Sequence, residues 1–240
     1  ISDNTYHVVV SVDDVGSAKI DGFTITKGNA NGANSITINS KIFYRNNGGG
    51  IYNLESSPTL TNTIIKNNSA NNGGGIYNNS SSPIITNTSI SNNSANIRGG
   101  GIYNNSSSPI ITNTTISNNS CSFYGGGIYN STSSPIITNT NISNNSTNND
   151  GGGIYNYYSS PTLTNVTISN NSTNNDGGGI YNEYDSSPTI NNSIIWGNTR
   201  NSDQSINNIY NFSSSSSSSS IPVYKYSLIQ GSVHYGIGTD

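Results

Sequence analysis

The six-residue phrase Gly-Gly-Gly-Ile-Tyr-Asn occurs six times, beginning at Gly48, Gly73, Gly99, Gly125, Gly151 and Gly177, at spacings of 25, 26, 26, 26 and 26 residues. A second phrase follows each copy: Ser-Ser-Pro, an apolar residue, and in most copies Thr-Asn-Thr and Ile-Ser-Asn-Asn. Self-similarity at such a fixed period implies one supersecondary unit that buries its apolar face only by stacking on its neighbours. Each unit holds three short apolar stretches between Gly, Ser-Pro and Asn-Asn turns, and no 3.6-residue pattern runs through it. The spacing therefore predicts an all-β parallel solenoid, with three short strands and about 26 residues per coil. Successive coils stack at about 4.8 Å.

Strand phase follows from alternation, because successive side chains point to opposite faces. In the first strand, Ile51, Ile76, Ile102, Ile128, Ile154 and Ile180 point inward, as do Asn53, Asn78, Asn104, Asn130, Asn156 and Asn182. Tyr52, Tyr77, Tyr103, Tyr129, Tyr155 and Tyr181 form an outward column. The second strand starts at a proline, from Pro58 to Pro188, where a strand tolerates the missing N–H. Two apolar columns follow five residues apart, led by Leu60 and Ile65. An odd separation puts both inside only if the chain bends between them. The bend is assigned to Asn62, Asn87, Asn113, Asn139, Asn165 and Asn192, which are expected to form a buried structural amide ladder. Thr63, Thr88, Thr114, Thr140 and Val166 then turn inward.

The chain is read as a single domain, 1–240. Residues 1–47 are capping or degenerate coils, with the register of 36–47 undetermined. Residues 48–198 are regular repeats, and 199–240 form an irregular last coil with a Ser-rich loop at 213–220. Ile209-Tyr210-Asn211 echoes the first strand, and Pro222 to Ile229 resumes a coil, with Tyr226 in place of an Asn. The chain begins at Ile1 and holds no Met, which reads as a processed form or a fragment, with any signal peptide or anchor outside it.

Charged residues make up 8% of the chain and the net charge is -3, so no basic patch is available for nucleic acid. No run is long and apolar enough to span a membrane. The single cysteine, Cys121, replaces a small residue of other coils and is expected to be a buried hydrophobe.

Gly-Gly-Gly-Ile paired with Ile-x-x-Asn, as in Ile116-Ser117-Asn118-Asn119, resembles the GGA[ILV] and FxxN repeats of chlamydial polymorphic outer-membrane proteins, with Ile in the Phe place. The flanks are similar to bacterial surface proteins with right-handed parallel β-helix repeats of the choice-of-anchor type. The similar segments are Asp21-Gly22-Phe23-Thr24-Ile25 with Gly28-Asn29-Ala30, the run from Asn192 to Thr199, and the run from Tyr226 to Gly231. The resemblance implies a right-handed β-helix of seven or eight coils and a secreted bacterial protein at the cell surface. Such repeats occur in adhesins, passengers and pectinase-like enzymes alike, so the fold alone does not choose among them.

Candidate chemistry is sparse. Asp150 and Asp176 precede Gly-Gly-Gly in neighbouring coils and are expected to lie side by side, where a pair of carboxylates could share a proton or hold Ca²⁺. Asn-Asp-Gly reads first as a tight turn, so neither Asp is expected to be catalytic and no metal or cofactor is assigned. His7 and His234 lack companions at metal spacing. The Tyr column from Tyr52 to Tyr181 is the candidate ligand face, since stacked rings could offer faces, edges and hydroxyls to a sugar. Cross-coil ring stacking is also a sufficient structural reason for it. An outward Thr column led by Thr61 is set aside as an ice-binding array, because the bend at Asn62 turns the second Thr inward. Asn67, Asn92, Asn118, Asn144 and Asn170 each open an Asn-Asn-Ser sequon at an outward corner and are candidate glycosylation sites.

The sequence thus points to an extracellular structural or adhesive scaffold rather than an enzyme. The competing reading is a carbohydrate-binding or pectinase-like protein working on its Tyr face. Expected partners are further copies of the chain, joined end to end into a filament, and surface glycans or host-cell molecules. Each end would expose a turn of unpaired backbone, and Tyr6 to Val12 is the run most suited to pairing.

Overall fold

In the computed structural model, residues 6–13, 16, 18–203, 205–213, 220–231 and 234–237 are described. Every regular coil uses the same set of strands. One coil runs Ile128–Ser131, Ile136–Thr138, Asn141–Ser143 and Ser146–Thr147. The three strands expected per coil are present, and a fourth short one follows, so the solenoid has four sheets, parallel throughout except where Ser205–Ile206 pairs antiparallel at the end of the fourth. The first sheet has nine strands and the other three have eight each, so six regular coils are flanked by one irregular coil at each end.

Register follows the repeat column by column. Ile76 pairs with Ile102, Tyr77 with Tyr103 and Asn78 with Asn104. The interior is a stack of like on like: Ile51, Ile76, Ile102, Ile128, Ile154 and Ile180 are all fully buried, as are the columns led by Leu60 and Ile65. Cys121 lies between Ala95 and Thr147 in the fourth sheet, and burial pushes its thiol up to about 11.

Single left-handed residues separate the strands. Asn62, Asn87, Asn113, Asn139, Asn165 and Asn192 have φ between 46° and 54°. The bend and the phase reset fall where the alternation placed them, and Thr63, Thr88, Thr114, Thr140 and Val166 are buried beyond it. The burial expected of these six amides is overturned: all six are exposed. A left-handed corner projects its side chain outward, and Asn is there because it tolerates that backbone well. Tyr226, 91% exposed with φ of 50°, occupies the same corner in the last coil.

The buried amides belong to two other columns. The first is the expected one, where each Nδ2 donates to the next Oδ1: Asn78 to Asn104 at 2.8 Å and Asn104 to Asn130 at 2.9 Å. The second comprises Asn68, Asn93, Asn119, Asn145, Asn171 and Asn198. Asn119 uses its whole amide: Nδ2 donates to Ile90 O at 2.9 Å and to Asn145 Oδ1 at 3.0 Å. Its Oδ1 accepts from Asn93 N and from Asn93 Nδ2, both at 3.0 Å. This is the Asn of Ile-x-x-Asn, and it closes the third corner from inside.

The Gly triplet is required by close approach. Gly125 has φ of 70°, and a Cβ on Gly126 would sit 2.4 Å from Ser146 O. On Gly127 it would sit 2.6 Å from Gly153 O.

The N-terminal segment is more regular than its sequence suggests. Lys19–Asp21 and Thr24–Thr26 pair in register with the first regular coil. Val9–Val12 pairs with Ile51–Leu54 as the end strand of the first sheet. Residues 36–44 do not form a degenerate coil: Ser35–Ile38 and Lys41–Tyr44 make an antiparallel hairpin. Its two-residue loop, Asn39-Ser40, has both φ values positive, as a tight hairpin needs. At the other end Ile209-Tyr210-Asn211 pairs with Ile180-Tyr181-Asn182 as the echo suggested. The core of the Ser-rich loop, 214–219, lies outside the described residues.

Asn119→Gly is expected to lower stability by about 1–3 kcal/mol, by orphaning the buried partners of a four-bond amide. Asn113→Gly is expected to be nearly neutral, since Gly takes a left-handed corner freely. Thermal melts of the two variants check this.

Candidate functional site

The outer surface of the first sheet is the chemically richest part of the molecule. The Tyr column runs up its middle. On one side lies the row preceding each Gly triplet: Asn72, Arg98, Tyr124, Asp150 and Asp176. Bridges join Asn72 to Arg98, Arg98 to Tyr124 and Tyr124 to Asp150. On the other side lies the row closing each first strand: Asn79, Asn105, Ser131, Tyr157 and Glu183.

The structure places the Tyr column outward, as alternation required, but leaves it little surface. Tyr52 is fully buried and the other five are at most 8% exposed. Coil stacking sets ring centroids 4.8 to 5.2 Å apart, so each ring covers its neighbour's face. The hairpin residue Phe43 closes the N-terminal end over Tyr52, at 3.8 Å between centroids. A repeating display of open ring faces is therefore ruled out. The stacking changes along the column: Tyr103 and Tyr129 meet at 82°, whereas Tyr155 and Tyr181 are stacked at 14°.

The flanking rows become aromatic and charged where the stacking changes. The Arg98 guanidinium lies 5.6 Å from the centre of the Tyr129 ring. Tyr124 leans over Tyr155, at 5.0 Å between centroids. The Tyr155 hydroxyl donates to Glu183 Oε2. Burial and the Glu183 charge push the Tyr155 hydroxyl pKa upward, and burial also raises the Glu183 carboxyl. Tyr158 and Tyr184 sit at left-handed corners, with φ of 48° and 46°, and stack at 5.1 Å. Between the rows lies a trench of about 400 Å³, floored by Tyr103, Tyr129 and Tyr155.

Asp150 and Asp176 are neighbours, as expected. The Asp176 N–H donates to Asp150 Oδ1 at 3.1 Å. Asp176 Oδ1 lies 3.3 Å from Arg200 Nη1 and accepts from Asn207 Nδ2 at 3.2 Å. Burial, with the charges of Asp176 and Glu183 beside it, pushes Asp150 up to about 6. Among the described residues no group of three or more His, Cys, Asp or Glu converges as a metal site. His7 donates its Nδ1–H to Gly48 O, 3.0 Å away, and packs edge-on against Phe43 and Tyr52. The side chain of His234 lies outside the described residues.

The sequons stand apart from this face. Asn67, Asn92, Asn118, Asn144 and Asn170 are exposed at the third corner, with φ between 54° and 56°.

Arg98, Tyr124, Tyr157 and Tyr184 were not singled out by sequence reasoning. Arg98 and Tyr124 look like fillers of a variable loop until the rows are aligned coil against coil. Only then does a cluster of large side chains stand out against Asn and Ser.

A family model described as the right-handed beta helix region matches residues 8–165. The chain belongs to the right-handed β-helix family. In this β-helix a second model, the Chlamydia polymorphic membrane protein repeat, matches residues 165–183. That segment carries the ladder amide Asn171 and the triplet Gly177-Gly178-Gly179, the two elements that close a coil. No curated protein and no solved structure matches the β-helix chain.

The acidic pair gives the β-helix a pH signature. Between an ordinary 3.8 and about 6, folded Asp150 holds a proton that the unfolded chain has lost. Stability therefore falls as pH rises through that window and levels off above it. Asp150→Asn is expected to match the parent at about pH 3.5 and to exceed it by about 1–2 kcal/mol at about pH 7. Denaturant melts at the two pH values check it.

Proposed function

We propose that this β-helix is an adhesive scaffold displayed outside a bacterial cell. The observation that carries the reading is the polymorphic membrane protein repeat within a rod whose main apolar columns and amide ladders recur in every regular coil. The two amide ladders tie each coil to its neighbours by buried hydrogen bonds, which suits an exposed protein. The outer rows vary far more in charge and size than the buried columns do, and variation at the surface is what recognition needs. The pectinase-like alternative finds less support. Asp176 is engaged by Arg200, and Glu183 accepts from Tyr155, so these carboxylates are tied into the protein's own contacts.

Fluorescent beads coated with the purified chain are expected to be retained on bacterial or epithelial cell layers severalfold over beads coated with a globular protein of equal charge. Equal retention on every layer would overturn the reading.

End-to-end association belongs to the same proposal. Among the described residues, the end strands Val9–Val12, Lys19–Asp21 and Thr24–Thr26 each pair on one side only. Beside them an apolar hollow of about 280 Å³ is lined by Val8, Val9, Ile20, Phe23 and Ile25. Phe23 is 64% exposed there. A second copy whose last coil continues these sheets would cover both the strand edges and the hollow. Light scattering at rising concentration is expected to show growth that Phe23→Lys suppresses. A monomer at all concentrations would refute the association and leave the scaffold reading intact. The five sequon corners are offered in the same spirit as places for glycan in a host that adds it.

A further inference from the structure

We propose that the trench beside the Tyr column is a binding site for a neutral, pyranose-based oligosaccharide. The inference rests on the adhesive reading and gives it a ligand.

Concavity is the first observation. The trench of about 400 Å³ spans the coils between Arg98 and Tyr184, and a second, more acidic hollow of about 440 Å³ beside Tyr181 and Tyr210 follows it along the column. Its chemistry is the second. Tyr124 forms one wall, and Tyr157 and Tyr184 the other, each with part of its ring open to solvent. Ring faces set against the C–H side of a sugar, with phenol hydroxyls beside them, are suited to a ligand that is apolar on one side and hydroxylated at the edge. Arg98 and Glu183 lie among these rings: Arg98 supplies several donors, and Glu183, whose Oε2 accepts from Tyr155, offers its second carboxylate oxygen to a sugar hydroxyl. One cation and one anion make the lining close to neutral, which disfavours phosphorylated or polyanionic ligands.

Backbone strain is the third observation. Tyr158 and Tyr184 occupy left-handed corners, where the equivalent residues of two earlier coils are Ser80 and Ser106. A bulky side chain is unfavourable in that conformation. Tyr158 is 50% exposed there, so core packing does not account for its size. Of the two, Tyr184 lines the trench and Tyr158 stacks on it, and a strained residue kept at a cleft fits a ligand-contacting role. Finally, the wall residues repeat once per coil, at about 4.8 Å. That rise is comparable to the advance of one pyranose along an extended glycan, so successive coils can meet successive sugar rings.

The test is calorimetric titration of the full chain with neutral hexasaccharides of β-1,4-linked glucose, xylose, mannose and N-acetylglucosamine. At least one is expected to bind with a Kd in the millimolar range or tighter. Tyr157→Ala and Glu183→Gln are expected to weaken that binding about tenfold each. Trp196→Ala, an exposed aromatic on the third sheet, is expected to leave it unchanged. Unaltered thermal melts establish that each variant is folded. Absence of binding across the panel, or an equal loss in Trp196→Ala, would overturn the proposal. Bead retention that persists in the Tyr157→Ala, Tyr184→Ala double variant would also overturn it while leaving the adhesive scaffold standing. Loss of retention in the parent chain itself would remove the scaffold reading instead.

Discussion

A buried amide that spends every hydrogen-bonding position on its neighbours is the constraint from which this rod follows. Asn119 bonds the coil before it through Ile90 and Asn93 and the coil after it through Asn145. A side chain of that kind is costly to bury unless each bond is made. It therefore fixes the vertical register to the residue, because a slip in either direction would orphan several groups at once. The apolar columns supply burial but are almost interchangeable. The amides make the stacking specific.

Corner geometry then determines what the outside can be. A left-handed residue between two short strands lets inward positions fall on both sides of it, and it throws its own side chain into solvent. Four such corners per coil give flat sheets with sharp edges. On the first sheet this produces a column of rings between two rows that the interior does not constrain. Where those rows hold Asn and Ser the surface is plain. Where they hold Arg98, Tyr124, Tyr157 and Glu183 it becomes a lined trench with a titrating carboxylate nearby.

Much of this was legible in the sequence. Period, strand alternation and the odd separation of Leu60 and Ile65 were enough to place the core columns and the bend at Asn62. The burial of that Asn was misjudged because alternation alone does not say where a corner residue points. A positive φ is needed for that, and adjacent Asn residues such as Asn118 and Asn119 differ in it completely. The Ile-x-x-Asn spacing was the available signal for the true ladder. The hairpin at 35–44 was hidden because its register is antiparallel where the stacked coils are parallel. For the Tyr column, pattern gives the outward direction and the stacking but not how little surface the shielded rings keep. The trench was missed because it depends on residues one coil apart in space and 26 apart in sequence.

The repetition of one interior cross-section has a further consequence for inheritance. Excising or duplicating one whole repeat joins an inner column to itself, so the new junction meets the same partners as the old one. Recombination between repeats can thus lengthen or shorten the rod without passing through an unfoldable intermediate. The outer rows do not share that immunity. A duplication that separates Tyr124 from Tyr157 would redraw the trench while the core registered no change. In such a molecule, diversity of surface and persistence of fold are governed by different residues, and each can drift without the consent of the other.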